Sequence, residues 1–156
     1  LGDKMFHEDE SHNPTNPYSA SKSSAEMICM SYHNTYKVPV MRINVMNAFG
    51  EMQHPEKFIP KVINKVLNDE VVEIHSYPDK KQSGTRFYIH ARNIAAGVLF
   101  LIENGKIGES YNFDRPGHDL RYGLSGEKME KMGWKLPVGF LESLEKSVKW
   151  EVNKKC

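Results

Sequence analysis

Residues 16–50 read NPYSASKSSAEMICMSYHNTYKVPVMRINVMNAFG, and the fold is decided in this stretch. Asn16-Pro17 is a helix-start signal, with a cap-forming residue followed by a proline whose fixed φ suits the first turn. From Pro17 the pattern is helical through about Tyr36. Ala25, Ile28, Cys29 and Tyr32 share one stripe of that helix, with Met27 and Met30 beside it. The helix is therefore expected to be buried on more than one side, against a sheet and against a partner, with Cys29 as a small core residue. Val38 to Val45 then reads as a β-branched strand that runs into the loop Met46-Asn47-Ala48-Phe49-Gly50. A helix, a strand and a turn in that order are an α/β signature, and ligand-facing residues are expected just past the strand.

The pattern continues outward. Phe58 to Leu67 is an amphipathic helix with Ile59, Val62, Ile63 and Val66 on its stripe, followed by a short strand at Val71 to Ile74 and a charged turn at Asp79 to Gly84. Tyr88 to His90 is a further short strand. Asn93 is the expected N-cap of an apolar helix, Ile94 to Ile102, which Asn104-Gly105 would stop. Glu109 to Phe113 reads as a strand and Arg115 to Gly133 as a glycine-containing segment. A last helix from about Phe140 to Asn153 has Leu141, Leu144, Val148 and Val152 on one face. The whole predicts α/β.

Composition narrows the function classes. In 156 residues, 21 Lys and Arg nearly cancel 20 Asp and Glu, so there is no global basic field to hold nucleic acid or an anionic membrane. No apolar run approaches a membrane span, and Leu1-Gly2-Asp3-Lys4 has no apolar signal core, so a soluble, cytoplasmic chain is expected. Two cysteines, Cys29 and Cys156, make neither a disulfide framework nor a metal pair, and no metal site is expected.

The chemical signal is Tyr18-Ser19-Ala20-Ser21-Lys22. At i and i+4 the phenol and the ammonium share one helix face, where the positive charge and the helix N-terminus both favour phenolate. Such a tyrosine is suited to proton transfer near neutrality. A tyrosine and a lysine at this spacing also occur by chance on ordinary solvated helices.

The surrounding blocks go further. Asn16-Pro17-Tyr18-Ser19-Ala20-Ser21-Lys22 resembles the proline-tyrosine-x-x-x-lysine helix of the extended short-chain dehydrogenase/reductase family, and Val38-Pro39-Val40-Met41-Arg42 the strand after it. Met46-Asn47-Ala48-Phe49-Gly50-Glu51 is similar to that family's asparagine-x-tyrosine-glycine-proline loop. His54-Pro55-Glu56-Lys57-Phe58-Ile59-Pro60 resembles the P-E-K-hydrophobic-I-P run of its deoxythymidine-diphosphate-glucose dehydratases. Arg86 to Asn93 and Arg115-Pro116-Gly117-His118-Asp119-Leu120-Arg121-Tyr122 resemble two later segments, and Gly133 to Pro137 with the final helix its ending.

The likeness to nucleotide-sugar 4,6-dehydratases and 4-epimerases implies the C-terminal part of a Rossmann-type doubly wound sheet plus the small α/β substrate-binding domain. The active-site helix would lie at about 17–36 and the substrate-binding part at about 47–150. It implies NAD as cofactor, with Tyr18 as base and Lys22 holding the nicotinamide ribose. Asn47 would bond the sugar or its phosphate linkage, unless it merely suits a turn. Arg86, Arg115 and Arg121 would meet the diphosphate of a nucleotide-diphosphate sugar. Lys57 and His118 are further substrate-binding candidates, although Lys57 otherwise simply begins a helix and a lone histidine is more often structural. The Tyr18 helix would pair with its twin in a homodimer.

Departures are as informative as matches. No G-x-G-x-x-G occurs in the 156 residues, so the family's dinucleotide-binding half and its catalytic Thr or Ser strand are expected to be absent. The family's usual helix and strand near Asn112-Phe113-Asp114 are also missing. Glu51 stands where proline is common, and Phe87 and Asn93 where aspartates are usual. Two hypotheses follow: the catalytic-tyrosine portion of an NAD-dependent nucleotide-sugar dehydratase or epimerase, or an inactive module for nucleotide-sugar binding or oligomer assembly.

Overall fold

The computed structural model describes residues 5–74, 76, 83, 86–113 and 123–154. In chain order these form β1 (Met5–Phe6), α1 (Pro17–Tyr36), β2 (Arg42–Val45), β3 (Ala48–Phe49), α2 (Phe58–Leu67) and β4 (Ile89–His90). They continue as α3 (Ala91–Asn104), β5 (Ser110–Phe113), β6 (Gly123–Leu124), α4 (Glu127–Lys131) and α5 (Phe140–Lys154). The strands described pair as β1 with β6, β2 with β5 and β3 with β4, and every pair is parallel. Parallel neighbours need long crossovers, which the helices between them supply. The α/β class expected from the sequence is the one found.

The core sits between β5, α3 and α4. All four residues of β5 are buried, and Tyr111 and Phe113 pack with Ile89, Leu101 and Met129. Trp134 closes one side, its ring stacked on Phe113 at 6.4 Å. Gly97 lets α3 approach this closely, since a Cβ there would lie 2.7 Å from the Phe113 ring. Asn112, wholly buried, unites three strands. Its side chain donates to the Phe6 carbonyl and accepts from Asn44, and its N–H donates to Glu8. A buried amide with its groups paired is a specific lock, because every alternative register leaves them orphaned.

Several expectations need correction. The strand begins at Arg42, not Val38: Lys37 ends α1 in the left-handed region at φ 59°, and Pro39 has no N–H to donate to a ladder. Val71 to Ile74 forms no strand. No described strand pairs with it, and Val71 and Ile74 are exposed. The Asp79 to Gly84 turn falls, Ser83 apart, outside the described residues. The helix predicted at Ile94 starts at Ala91, because His90 caps it by accepting from the Arg92 N–H at 3.1 Å. Asn93 is instead buried inside the helix, donating to the Val138 carbonyl at 2.8 Å. On α5 the buried row is Ser143, Ser147 and Glu151 rather than the aliphatic one, and Leu141 is exposed. Small serines permit close approach to α2 and β4, and the aliphatic residues 144, 148 and 152 flank that seam.

The largest correction concerns α1, which has no buried residue. Its half-buried side carries Ser19, Ala20, Ser23, Glu26, Met30 and His33, while Ala25, Ile28, Cys29 and Tyr32 face outward. Polar bonds turn that side inward. Glu26 accepts from Arg42 at 2.8 Å, His12 meets Ser23 at 2.8 Å, and the His33 ring N–H donates to the Val38 carbonyl. Cys29 is thus an exposed thiol, not a core residue. Among the described residues nothing covers the apolar stripe, and no helix is long and apolar enough to cross a membrane.

Candidate active site

The start of α1 is fixed by its own sequence. Asn16 Oδ1 accepts from the Ser19 N–H at 2.9 Å while the Ser19 hydroxyl faces the Asn16 N–H, a reciprocal capping box, and Pro17 fills the first helical position. The Ser21 hydroxyl donates to the Tyr18 carbonyl at 2.8 Å. Tyr18 therefore projects from a rigid first turn with 74% of its surface exposed, and Lys22, also exposed, follows one turn later on the same line. The two residues expected to act together do share a face, and it is an open one.

Three further candidates gather around residues 86–88. Asn47, two residues beyond β2, donates its side-chain N–H to the Phe87 carbonyl at 2.8 Å and accepts from the Ile89 N–H at 3.2 Å. It is thus first of all a clip between the loop after β2 and β4. Lys57 is the N-cap residue of α2, exposed and with no capping bond of its own. Its neighbour Phe58 stacks on Tyr88 at 6.3 Å, which sets the start of α2 beside the segment carrying Arg86. Burial pushes the Tyr88 phenol up, and the Arg86 charge pulls partly against that rise. Arg115, His118 and Arg121 lie outside the described residues.

One constellation went unmarked in the sequence reading. Glu51 Oε2 lies 3.1 Å from His90 Nε2, and Glu51 Oε1 accepts from Arg92 at 2.9 Å. His90 is 3% exposed; its Nδ1 accepts the Arg92 N–H, so Nε2 carries the proton given to Glu51. Burial would raise the Glu51 pKa, but its own backbone N–H, His90 and the Arg92 charge outweigh that and hold it below the ordinary glutamate value. The signal available in the sequence was Glu51 itself, standing where the resemblance expects proline.

Other features carry less. Two surface clefts of about 410 and 460 Å³ are lined by none of Tyr18, Lys22, Asn47, Lys57 and Arg86. Among the described residues no group of three or more His, Cys, Asp or Glu is placed to hold a metal ion.

The sequence model of the NAD dependent epimerase/dehydratase family matches residues 2–113. The human dTDP-D-glucose 4,6-dehydratase is 31% identical over 186 positions, covering 95% of this chain and 51% of that protein. Those 186 positions exceed the 156 residues of the chain, so the relative carries residues inside the matched stretch that this chain lacks. Among solved structures, the dTDP-glucose 4,6-dehydratase of Bacillus anthracis in complex with NAD superposes with a TM-score of 0.86 at 26% identity, covering 97% of this chain and 57% of that one. The Streptomyces venezuelae dTDP-glucose 4,6-dehydratase with NAD and TYD bound gives 0.85 at 26%, covering 97% and 56%. The chain thus spans about half the length of the curated relatives it matches, and its Rossmann-like α/β arrangement is theirs.

Proposed function

Because the chain belongs to the NAD-dependent epimerase/dehydratase family, we propose that it is the catalytic-tyrosine and substrate-binding portion of a nucleotide-sugar 4,6-dehydratase or epimerase. The observation that carries this reading is the capped start of α1, with Tyr18 and Lys22 on one exposed line. Tyr18 takes the proton from the sugar C4 hydroxyl, and the Lys22 ammonium steadies the phenolate that accepts it. Asn47, Lys57 and Arg86 bind the sugar and its diphosphate, with guanidinium pairing two phosphate oxygens at once. Arg115, His118 and Arg121 complete that site.

For NAD, the described residues fit one end only. Tyr18 and Lys22 suit the nicotinamide ribose, whereas among the described glycines Gly50, Gly97, Gly105, Gly108 and Gly123 are each closely approached by the protein's own atoms, and the open Gly133 and Gly139 stand alone rather than in a glycine-rich loop. NAD, when bound, supplies the hydride acceptor for C4. No G-x-G-x-x-G motif occurs in the sequence, so under this reading a separate dinucleotide-binding half supplies the cradle.

Joined to a dinucleotide-binding half and given NAD and dTDP-glucose, the chain should turn over, and Tyr18→Phe should lower kcat by about 10²- to 10⁴-fold. A rate within twofold of the parent would assign the proton transfer elsewhere.

A second reading has its own support. The outward stripe of Ile28, Cys29, Tyr32 and Tyr36 is what a second copy of the helix would cover, which favours a homodimer through α1 and an assembly or binding role. Sedimentation at micromolar concentration separates the outcomes. A dimer that Ile28→Glu splits supports pairing, and a monomer excludes it.

A further inference from the structure

We infer that Glu51 is a positioning residue whose carboxylate, clamped between the buried His90 and the exposed Arg92, holds the 50–57 segment on the path that delivers Lys57 and the start of α2. This rests on the proposed reading in which Lys57 meets the diphosphate. Proline, the residue the resemblance expects here, would restrict the backbone covalently. Glu51 does so with two hydrogen bonds reaching 39 and 41 residues along the chain.

The path needs holding. Met52, directly after Glu51, has φ 65°, a left-handed conformation unfavourable for a side chain that is itself 82% exposed and so gains nothing from packing. The turn it makes is closed by the Gln53 N–H to the Gly50 carbonyl at 3.3 Å and by the Gln53 side chain to the Ala48 carbonyl at 2.8 Å. A second turn, the Lys57 N–H to the His54 carbonyl at 2.9 Å, then leads into α2. Both turns are local and could re-form with the segment pointing elsewhere. Among the described hydrogen bonds and ion pairs, only Glu51's connect the segment's side chains to β4 and α3, one of them through a histidine that cannot swing, because it is buried and its Nδ1 is occupied by the helix cap. Backbone contact reinforces the grip: a Cβ on Gly50 would come within 3.3 Å of His90 Nε2.

A double-mutant cycle tests this, with dTDP titrated calorimetrically into the chain and its Glu51→Ala, Lys57→Ala and doubly substituted forms. Each single change should weaken dTDP binding by about tenfold, and the double variant should bind no worse than Lys57→Ala alone, the signature of one residue acting through another. Glu51→Gln, which still accepts from His90 Nε2, should stay within about threefold of the parent and serves if the alanine variant unfolds. Amide exchange at residues 52–57 should quicken in Glu51→Ala while β5 keeps its protection. Additive losses, or unchanged dTDP affinity in Glu51→Ala, would overturn the inference and leave the site intact. Unchanged affinity in Lys57→Ala would instead overturn the proposed site, and a parent chain that does not bind dTDP would overturn both.

Discussion

Helix α1 and strand β5 are the two extremes of this molecule. The helix has twenty residues and none is buried; the strand has four and all are buried. The helix is held inward by Arg42, His12 and His33 through polar bonds, the strand by Tyr111, Phe113 and the fully paired Asn112. The difference separates what stabilises the fold from what is proposed to carry the chemistry. Hydrophobic burial is concentrated on one side of the β2–β5 ladder. The tyrosine and lysine stand on the other, on a helix whose apolar face is left for something else to cover.

That comparison can be broken at several points. Leu101, wholly buried beside β5, should cost about 2–5 kcal/mol on truncation to alanine, enough to unfold a marginal domain, as denaturant titration would report. Asn112→Ala should cost about 1–3 kcal/mol, because the Asn44 side-chain N–H would lose its acceptor and the Phe6 carbonyl one of its donors, the Ser125 N–H remaining. Glu51 titrates more readily in the folded chain than in the unfolded one. Its contribution is complete above the ordinary glutamate range near pH 4.3 and drains away as pH falls through the lower folded value. Glu51→Gln should therefore lose less stability than the parent between about pH 5 and pH 3, by a few degrees in Tm. A parallel acid profile would mean that the clamp forms equally in the unfolded chain.

The smallest effects are expected on the helices' outer faces. Ile28→Ala should change stability by about 0.5 kcal/mol or less in a monomer. A loss comparable with that of Leu101→Ala would show the outward stripe buried in solution, and the contrast between α1 and β5 would then belong to the isolated subunit alone. Glu142→Ala, which breaks an exposed i,i+4 pair with Lys146, should cost about 0.3–0.5 kcal/mol.

The legible parts of the sequence were the local ones. Asn16-Pro17 with Ser19 announces a helix start because the bonds that cap it lie within four residues, and Phe58 to Leu67 shows its period within ten. Tyr18 and Lys22 follow from that start, since helix geometry alone puts them on one face. The face of α1 that turns inward was not legible. Apolar residues at helical spacing say that a stripe will be covered, not by which chain, and here Glu26 and Ser23 won the inward side through partners at Arg42 and His12. Asn93 looked like a cap because its residue type suits one, but His90 lay three residues earlier with an acceptor nitrogen in reach of the Arg92 N–H. Glu51 and His90 are 39 residues apart, and no periodicity links them.

The parallel ladders have a consequence for how the chain reaches this state. Two of the three described ladders join strands far apart in sequence: Asn44 finds Asn112 across 68 residues, and Phe6 receives the Asn112 amide across 106. Closing loops of that length costs entropy before any contact repays it, so chains dominated by such pairings fold slowly for their size. During synthesis, α1 leaves the ribosome long before the strand that fixes its supporting ladder. For that interval β2 is unpaired beside an outward row of Ile28, Tyr32 and Tyr36 that stays exposed after folding, so the chain offers wrong partners one more open surface while it is being made.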